Sequence, residues 1–168
     1  EPPLREVADL RREMKPGLRL VPIGVVRSRF KEPADLPPPA FAPRGFFERS
    51  LGTVEVRPEF APGLDRIEDY SHIVVLFHFH KAGYAKLTVT PPGRKKERGV
   101  FASRSPHRPN PLGMSVLKLL RRDGRVLHVS GLDLVDGTPV LDIKPYTRRD
   151  RKSRIRTADS KKAARPAR

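Results

Sequence analysis

The stretch "SRSPHRPNPLGMS" (103–115) gathers two arginines, a histidine, an asparagine and three prolines. Arg104 and Arg108 carry guanidinium forks that match carboxylates and phosphates. Pro106, Pro109 and Pro111 fix φ and remove backbone donors, so the stretch is neither a helix nor a central strand. A loop stiffened in this way loses little entropy when a ligand orders around it. Gly113 permits a turn or a close backbone approach. The same residues also suit a surface loop whose arginines pair with nearby acids.

A second group lies in "GLDLVDGTPVLDIKPY" (131–146), where Asp133, Asp136 and Asp142 are close in sequence to Lys144 and Tyr146. Asp136-Gly137 is ordinary turn chemistry. That reading does not cover Asp133, nor Asp142 and Lys144, which alternate with apolar residues. Carboxylates so placed suit hydroxyl or amine recognition, or ion pairing with the arginines. The histidines form a third group. His72, His78 and His80 share parity, which on one strand puts them on one face, with His78 and His80 ~6.6 Å apart. No carboxylate-rich stretch accompanies them, so no metal site is expected. Packing accounts for His72 and His78, whereas His80 ends the strand and borders the mouth of any site there.

The elements that must position these groups are mainly strands. Runs rich in Val, Ile and Leu fall at 18–30, 52–58, 71–82, 85–93 and 99–103, and three more lie within 114–146. Asp123-Gly124 marks a hairpin and Asp136-Gly137 a second turn. Residues 4–14 suit a short charged helix and 63–70 one or two helical turns. Five prolines make 31–45 a long loop. The expectation is an all-β fold: a small antiparallel β-barrel of about seven strands with one or two short helices. No G-x-G and no Walker sequence occurs, so a Rossmann sheet is not expected.

At 168 residues the chain fits one domain with a real core. The absence of cysteine excludes disulfides, thiolate metal sites and a cysteine nucleophile. No apolar run approaches the roughly 20 residues of a membrane span and no signal pattern opens the chain, so a soluble, cytoplasmic protein is expected. The formal charge is +16, of which residues 148–168 supply a net +8. A basic arm beside a basic domain attracts polyanions, nucleic acid foremost. The expected division is an N-terminal extension (1–17), a barrel domain (18–147) and a disordered basic tail (148–168).

"PIGVVRS", "YSHIVVLFHFH", "GVFASRSPHRPNPLGMS" and "LDLVDGTPVLDIKPY" occur in that order over roughly residues 20–147. In this wording and order the chain resembles the TsaA-like (YaeB, TrmO-type) family, as a short single-domain member. The resemblance implies a methyltransferase that uses S-adenosylmethionine on a β-barrel. Its characterised members methylate N6 of threonylcarbamoyladenosine at tRNA position 37, as homodimers. It implies cofactor contacts from Pro37, Pro38 and Pro39, where the family often has Pro-Arg-Gln and this chain departs from it. Further cofactor contacts are implied at His80 and Lys81, at Arg104, at Leu112, Gly113 and Met114, and at Asp133, Leu134, Val135 and Asp136. Asp136 is the first candidate to polarise the acceptor amine and His80 the second. Arg108, Asn110, Lys144 and Tyr146 are the candidates for substrate. Two alternatives stay open: the same scaffold acting on another RNA or a small molecule, and a non-catalytic RNA-binding barrel.

Overall fold

A computed structural model describes residues 19–38 and 41–151. Six strands close into an antiparallel barrel in the order β1-β2-β7-β6-β3-β8. They are β1 (Gly24–Arg27), β2 (Leu51–Val56), β3 (His72–His78), β6 (Leu112–Asp123), β7 (Val126–Ser130) and β8 (Pro139–Pro145). Between β3 and β6 a separate two-stranded ribbon pairs β4 (Thr88–Val89) with β5 (Arg98–Gly99). The described helices are all short 3-10 turns. None is long and apolar enough to cross a membrane.

Alternation builds the core. Ile73, Val75 and Phe77 of β3 point inward, as do Leu117 and Leu119 of β6, Val54 and Val56 of β2, and Leu127 and Val129 of β7. Leu132 and Leu134, just after β7, join the same cluster. Asp123-Gly124 makes the β6–β7 hairpin, with Gly124 at φ 57°. Gly113 pairs with Phe77, and a Cβ there would overlap the rings of Phe77 and Phe79. Those rings meet edge to face at 5.0 Å, so this glycine makes room for an aromatic pair.

Three sequence expectations change in detail. β3 stops at His78, so His80 sits on the turn beyond it and the shared face holds only His72 and His78. The run 99–103 gives one strand residue and then the 3-10 turn Val100–Ala102, closed by the Ser103 N–H and hydroxyl, both donating to Val100 O. The tail opens with the ordered turn Arg148–Asp150, in which Thr147 and Asp150 cap each other. The helix expected at 4–14, Pro39 and residues 152–168 lie outside the described residues.

Candidate functional site

The C-terminal end of β3 meets two loops. Phe79 N–H donates to Pro111 O (2.8 Å) and His80 N–H to His78 O (2.8 Å), which fixes the turn bearing His80 and Lys81. Lys81 Nζ then donates to Lys31 O and Glu32 Oε1, both at 2.7 Å. Lys31 Nζ donates to Ser28 O (3.1 Å) and Asp136 Oδ2 (2.9 Å). Asp136 Oδ1 accepts the Ser28 N–H (2.9 Å), while the Asp136 N–H donates to Phe30 O (2.7 Å). Alternating charges thus tie the loop after β1, the turn after β3 and the β7–β8 loop into one cluster.

The two candidate acceptors within it differ. His80 is half-buried, and a Cβ on Gly137 would sit 3.9 Å from its Nε2. Burial first, and the Lys81 charge second, hold the imidazole pKa below its ordinary 6.5. The ring is therefore biased toward the neutral, proton-accepting form. Asp136 is displaced below the ordinary carboxylate value, chiefly by the Ser28 N–H and then by Lys31. Its two oxygens already accept bonds, and it is a weak base.

On the same loop, buried Leu132, Leu134 and Val135 anchor the backbone and leave Asp133 outward. Thr138 Oγ1 donates to Val135 O at 2.6 Å and Gly137 takes φ 77°, which closes the turn. Ser115 Oγ donates to Asp133 Oδ1 at 2.9 Å. By surface area Asp133 is exposed, yet its carboxyl is crowded by neighbouring atoms. That crowding raises its pKa, against the Ser115 bond and the nearby Arg104 charge. The open surface governs access: Asp133 and exposed Arg104 offer a carboxylate and a guanidinium close together.

The proline-rich loop is held from within. Arg108 Nη1 reaches the carbonyls of Ser103 (2.9 Å), Val100 (3.2 Å) and, more weakly, Ser105 (3.4 Å). Ser105 N–H donates to Ser103 Oγ and His107 N–H to Ser105 Oγ, each at 3.3 Å. One nitrogen of the Arg108 guanidinium is thus engaged by its own loop, and Arg104 is the more exposed of the two arginines. Asn110, on the same loop, is exposed. Pro38 O accepts the N–H groups of Phe41 (2.8 Å) and Ala42 (3.0 Å), and half-buried Pro37 precedes it.

Lys144 and Tyr146 are not brought to this cluster. Lys144 is opposite Val74, and the Tyr146 N–H bonds His72 O, so both flank the start of β3. Four residues of extended strand, ~13 Å, separate Val74 from His78, and the turn with His80 lies beyond that end. Lys144 also pairs with Asp142 at 2.7 Å. Leu112 and Met114 lie exposed on the outer face of β6. Sequence reasoning missed Ser28, Lys31, Glu32 and Ser115. No spacing links residue 31 to residue 136, although "KEPAD" does carry the Glu32–Asp35 capping pair.

A family model described as the tRNA-methyltransferase O N-terminal domain matches residues 25–150. A probable S-adenosyl-L-methionine-binding protein of Pyrococcus abyssi is 50% identical over 125 residues, which are 74% of this chain and 66% of that protein. A tRNA (adenine(37)-N6)-methyltransferase of Mus musculus is 49% identical over 83 residues, 48% of this chain and 19% of its own length. A crystal structure of TrmO superposes with a TM-score of 0.67 at 40% identity, covering 85% of this chain and 64% of that one. The chain thus spans just under two thirds of the P. abyssi protein and of the TrmO chain. The family match runs from β1 to the turn after β8 and takes in every loop of the cluster. The chain therefore belongs to the tRNA-methyltransferase O N-terminal domain family.

Proposed function

We propose that the chain transfers a methyl group from S-adenosylmethionine to N6 of threonylcarbamoyladenosine at position 37 of tRNA. The observation that carries this is the β7–β8 loop. It presents Asp133, with Arg104 nearby, and the Asp136–Gly137 turn beside a half-buried, neutral-biased His80. The donor set fits the cofactor: Arg104 suits its carboxylate, Asp133 its ammonium, and the backbone of Leu134–Asp136 its adenosine. Lys81, Pro37, Pro38 and the Leu112–Met114 segment are the further cofactor contacts that the family resemblance implies. When bound, the cofactor supplies an electrophilic methyl carbon.

The chain's own residues orient the acceptor and take its proton. Positioning supplies much of the acceleration in an in-line displacement. His80 accepts the proton that leaves N6. Asp136, bonded to Ser28 and Lys31, positions the loop around it and is the second acceptor. Exposed Asn110 is the residue of this loop left to meet substrate, and Arg108 keeps the loop in shape. A cytoplasmic protein fits this reading.

A homodimer fits the outer face of β6. Leu112, Met114, Val116 and Leu120 are 43–49% exposed there, and Met114 and Val116 pair with Leu76 and Val74 of β3. An apolar stripe of this kind suits a second copy. Calorimetric titration of S-adenosylmethionine, followed by methyl transfer to tRNA carrying the modified adenosine, tests the proposal. Micromolar binding and a methylated product are expected. No binding removes it.

A further inference from the structure

The segment between β3 and β6 carries two large aromatic rings that the barrel does not use. Tyr84 is 65% exposed and Phe101 is 76% exposed. Each has a cation against one face: Lys86 Nζ is 5.3 Å from the Tyr84 ring centre, and Arg108 Cζ is 5.9 Å from that of Phe101. Both rings also bracket one loop. Tyr84 lies against His107 at 6.4 Å between ring centres, and Phe101 against the next residue, Arg108.

Their mounts are rigid. Phe101 follows Val100, whose side chain is buried, whose N–H donates to Leu87 O (2.8 Å) and whose carbonyl takes Arg108 Nη1. Two residues beyond Tyr84, the Lys86 N–H donates to His107 O (3.1 Å). Between them the β4–β5 ribbon ends in "RKKER" (94–98), four cations against one acid. Rigid, exposed rings beside a basic tip are the pieces of a single-strand nucleic-acid surface, because every base has a π-face and stacking does not need a sequence.

We infer that Tyr84 and Phe101 are stacking platforms for unpaired nucleotides of the RNA substrate, with the ribbon tip holding the adjoining phosphates. This rests on the tRNA reading above and adds to it the surface that would hold bases around the one being methylated. Each cation draws on one face of its ring, and the exposed remainder is open to a base. Rings with two side-chain torsions lose little entropy on docking.

The chain has no tryptophan, so Tyr84→Trp and Phe101→Trp each introduce one fluorophore. The probes are an RNA hairpin with an unpaired loop and a blunt duplex of the same stem. The hairpin should quench both tryptophans and the duplex neither. Tyr84→Ala and Phe101→Ala should each weaken hairpin affinity about 5- to 100-fold, with little change for the duplex. Tyr84→Phe should retain the affinity, and cofactor titration should be the same in every variant. Unquenched tryptophan on saturation, or alanine variants of unchanged affinity, would overturn the inference. A Phe101→Ala protein that turns monomeric while binding the hairpin normally would overturn it too, by making the ring a contact between copies. Cofactor binding without any hairpin binding overturns both this surface and the tRNA acceptor. Ring-dependent hairpin binding without cofactor binding overturns the methyltransferase reading alone.

Discussion

Asp136 accepts the backbone N–H of Ser28 at 2.9 Å, across 108 residues of sequence. Its other oxygen takes Lys31 Nζ at 2.9 Å. One carboxylate therefore fastens the β7–β8 loop to the exit of β1, and the loop that presents Asp133 inherits its position from that link. Removing the side chain leaves the part-buried Ser28 N–H without this acceptor. Asp136→Ala should cost about 1–3 kcal/mol in urea denaturation. Asp136→Asn keeps an acceptor for Ser28 and should recover about half of that. Turnover lost fully in Asp136→Asn, with cofactor affinity intact, would instead make Asp136 the group that polarises the amine.

The same bond sets an acid limb. The folded pKa of Asp136 lies below 3.8, so its contribution to stability is complete above that pH and is lost as the pH falls through the depressed value. Among the described residues, Asp35 and Asp150 are shifted the same way by backbone N–H bonds at their caps, so Asp136 is one contributor to the acid limb. The difference between wild type and Asp136→Asn isolates one share: it should be flat above pH 3.8 and shrink below it. A difference that stays constant down to acid unfolding would contradict the assignment.

His80 makes the rate depend on pH in a window nearer neutrality. Its folded pKa is below 6.5, so the accepting form dominates above 6.5 and is lost as the pH falls through the lowered value. kcat/KM for the acceptor should be level above pH 6.5 and decline about tenfold per pH unit below the His80 pKa. His80→Gln should lower the plateau and abolish that limb while cofactor affinity changes little. A limb that persists in His80→Gln would assign the proton to another group.

Arg108 should behave as a loop staple. Arg108→Ala removes the donor shared by the Val100, Ser103 and Ser105 carbonyls. Amide exchange across 100–108 should accelerate, for a local loss of about 1–3 kcal/mol. Arg108→Lys should not restore protection, since a point charge does not replace a planar fork. If exchange is unchanged and acceptor KM alone rises, Arg108 contacts substrate directly.

Gly113 should resist substitution for reasons of packing. A methyl at this position meets the Phe77 and Phe79 rings, and Gly113→Ala should lose about 1–3 kcal/mol of stability in thermal denaturation. Cofactor affinity should follow stability and not fall ahead of it. A stable Gly113→Ala protein with weak cofactor binding would return the glycine to the site.

Much of the architecture is legible in the residues. The apolar run in "HIVVLFH" marks a strand, and Asp-Gly pairs mark both turns near β7, while the inward choice of Ile73, Val75 and Phe77 is visible only in the structure. The limits are physical. Parity holds only while a chain stays extended, and β3 ends two residues before His80, so the three-histidine face was an artefact of strand length. The bonds of Arg108 Nη1 to the carbonyls of its own loop are likewise invisible to a reading of spacing. Lys31 and Asp136 meet through barrel closure, which no local spacing encodes. Lys144 and Tyr146 sit near Asp136 along the chain, but an extended β8 carries them toward the opposite end of β3.

Barrel closure has a consequence for a protein so strongly basic. β1 pairs with both β2 and β8, which leaves the ring without an outer strand. Polyanions concentrate cationic chains, and crowded chains with free strand borders join by adding strands to one another. Here the row of unpaired amides that such growth requires is used up in closing the cylinder, and the ribbon's strands are two residues each. Crowding on a polyanion therefore offers the described barrel no strand border through which copies could add to one another.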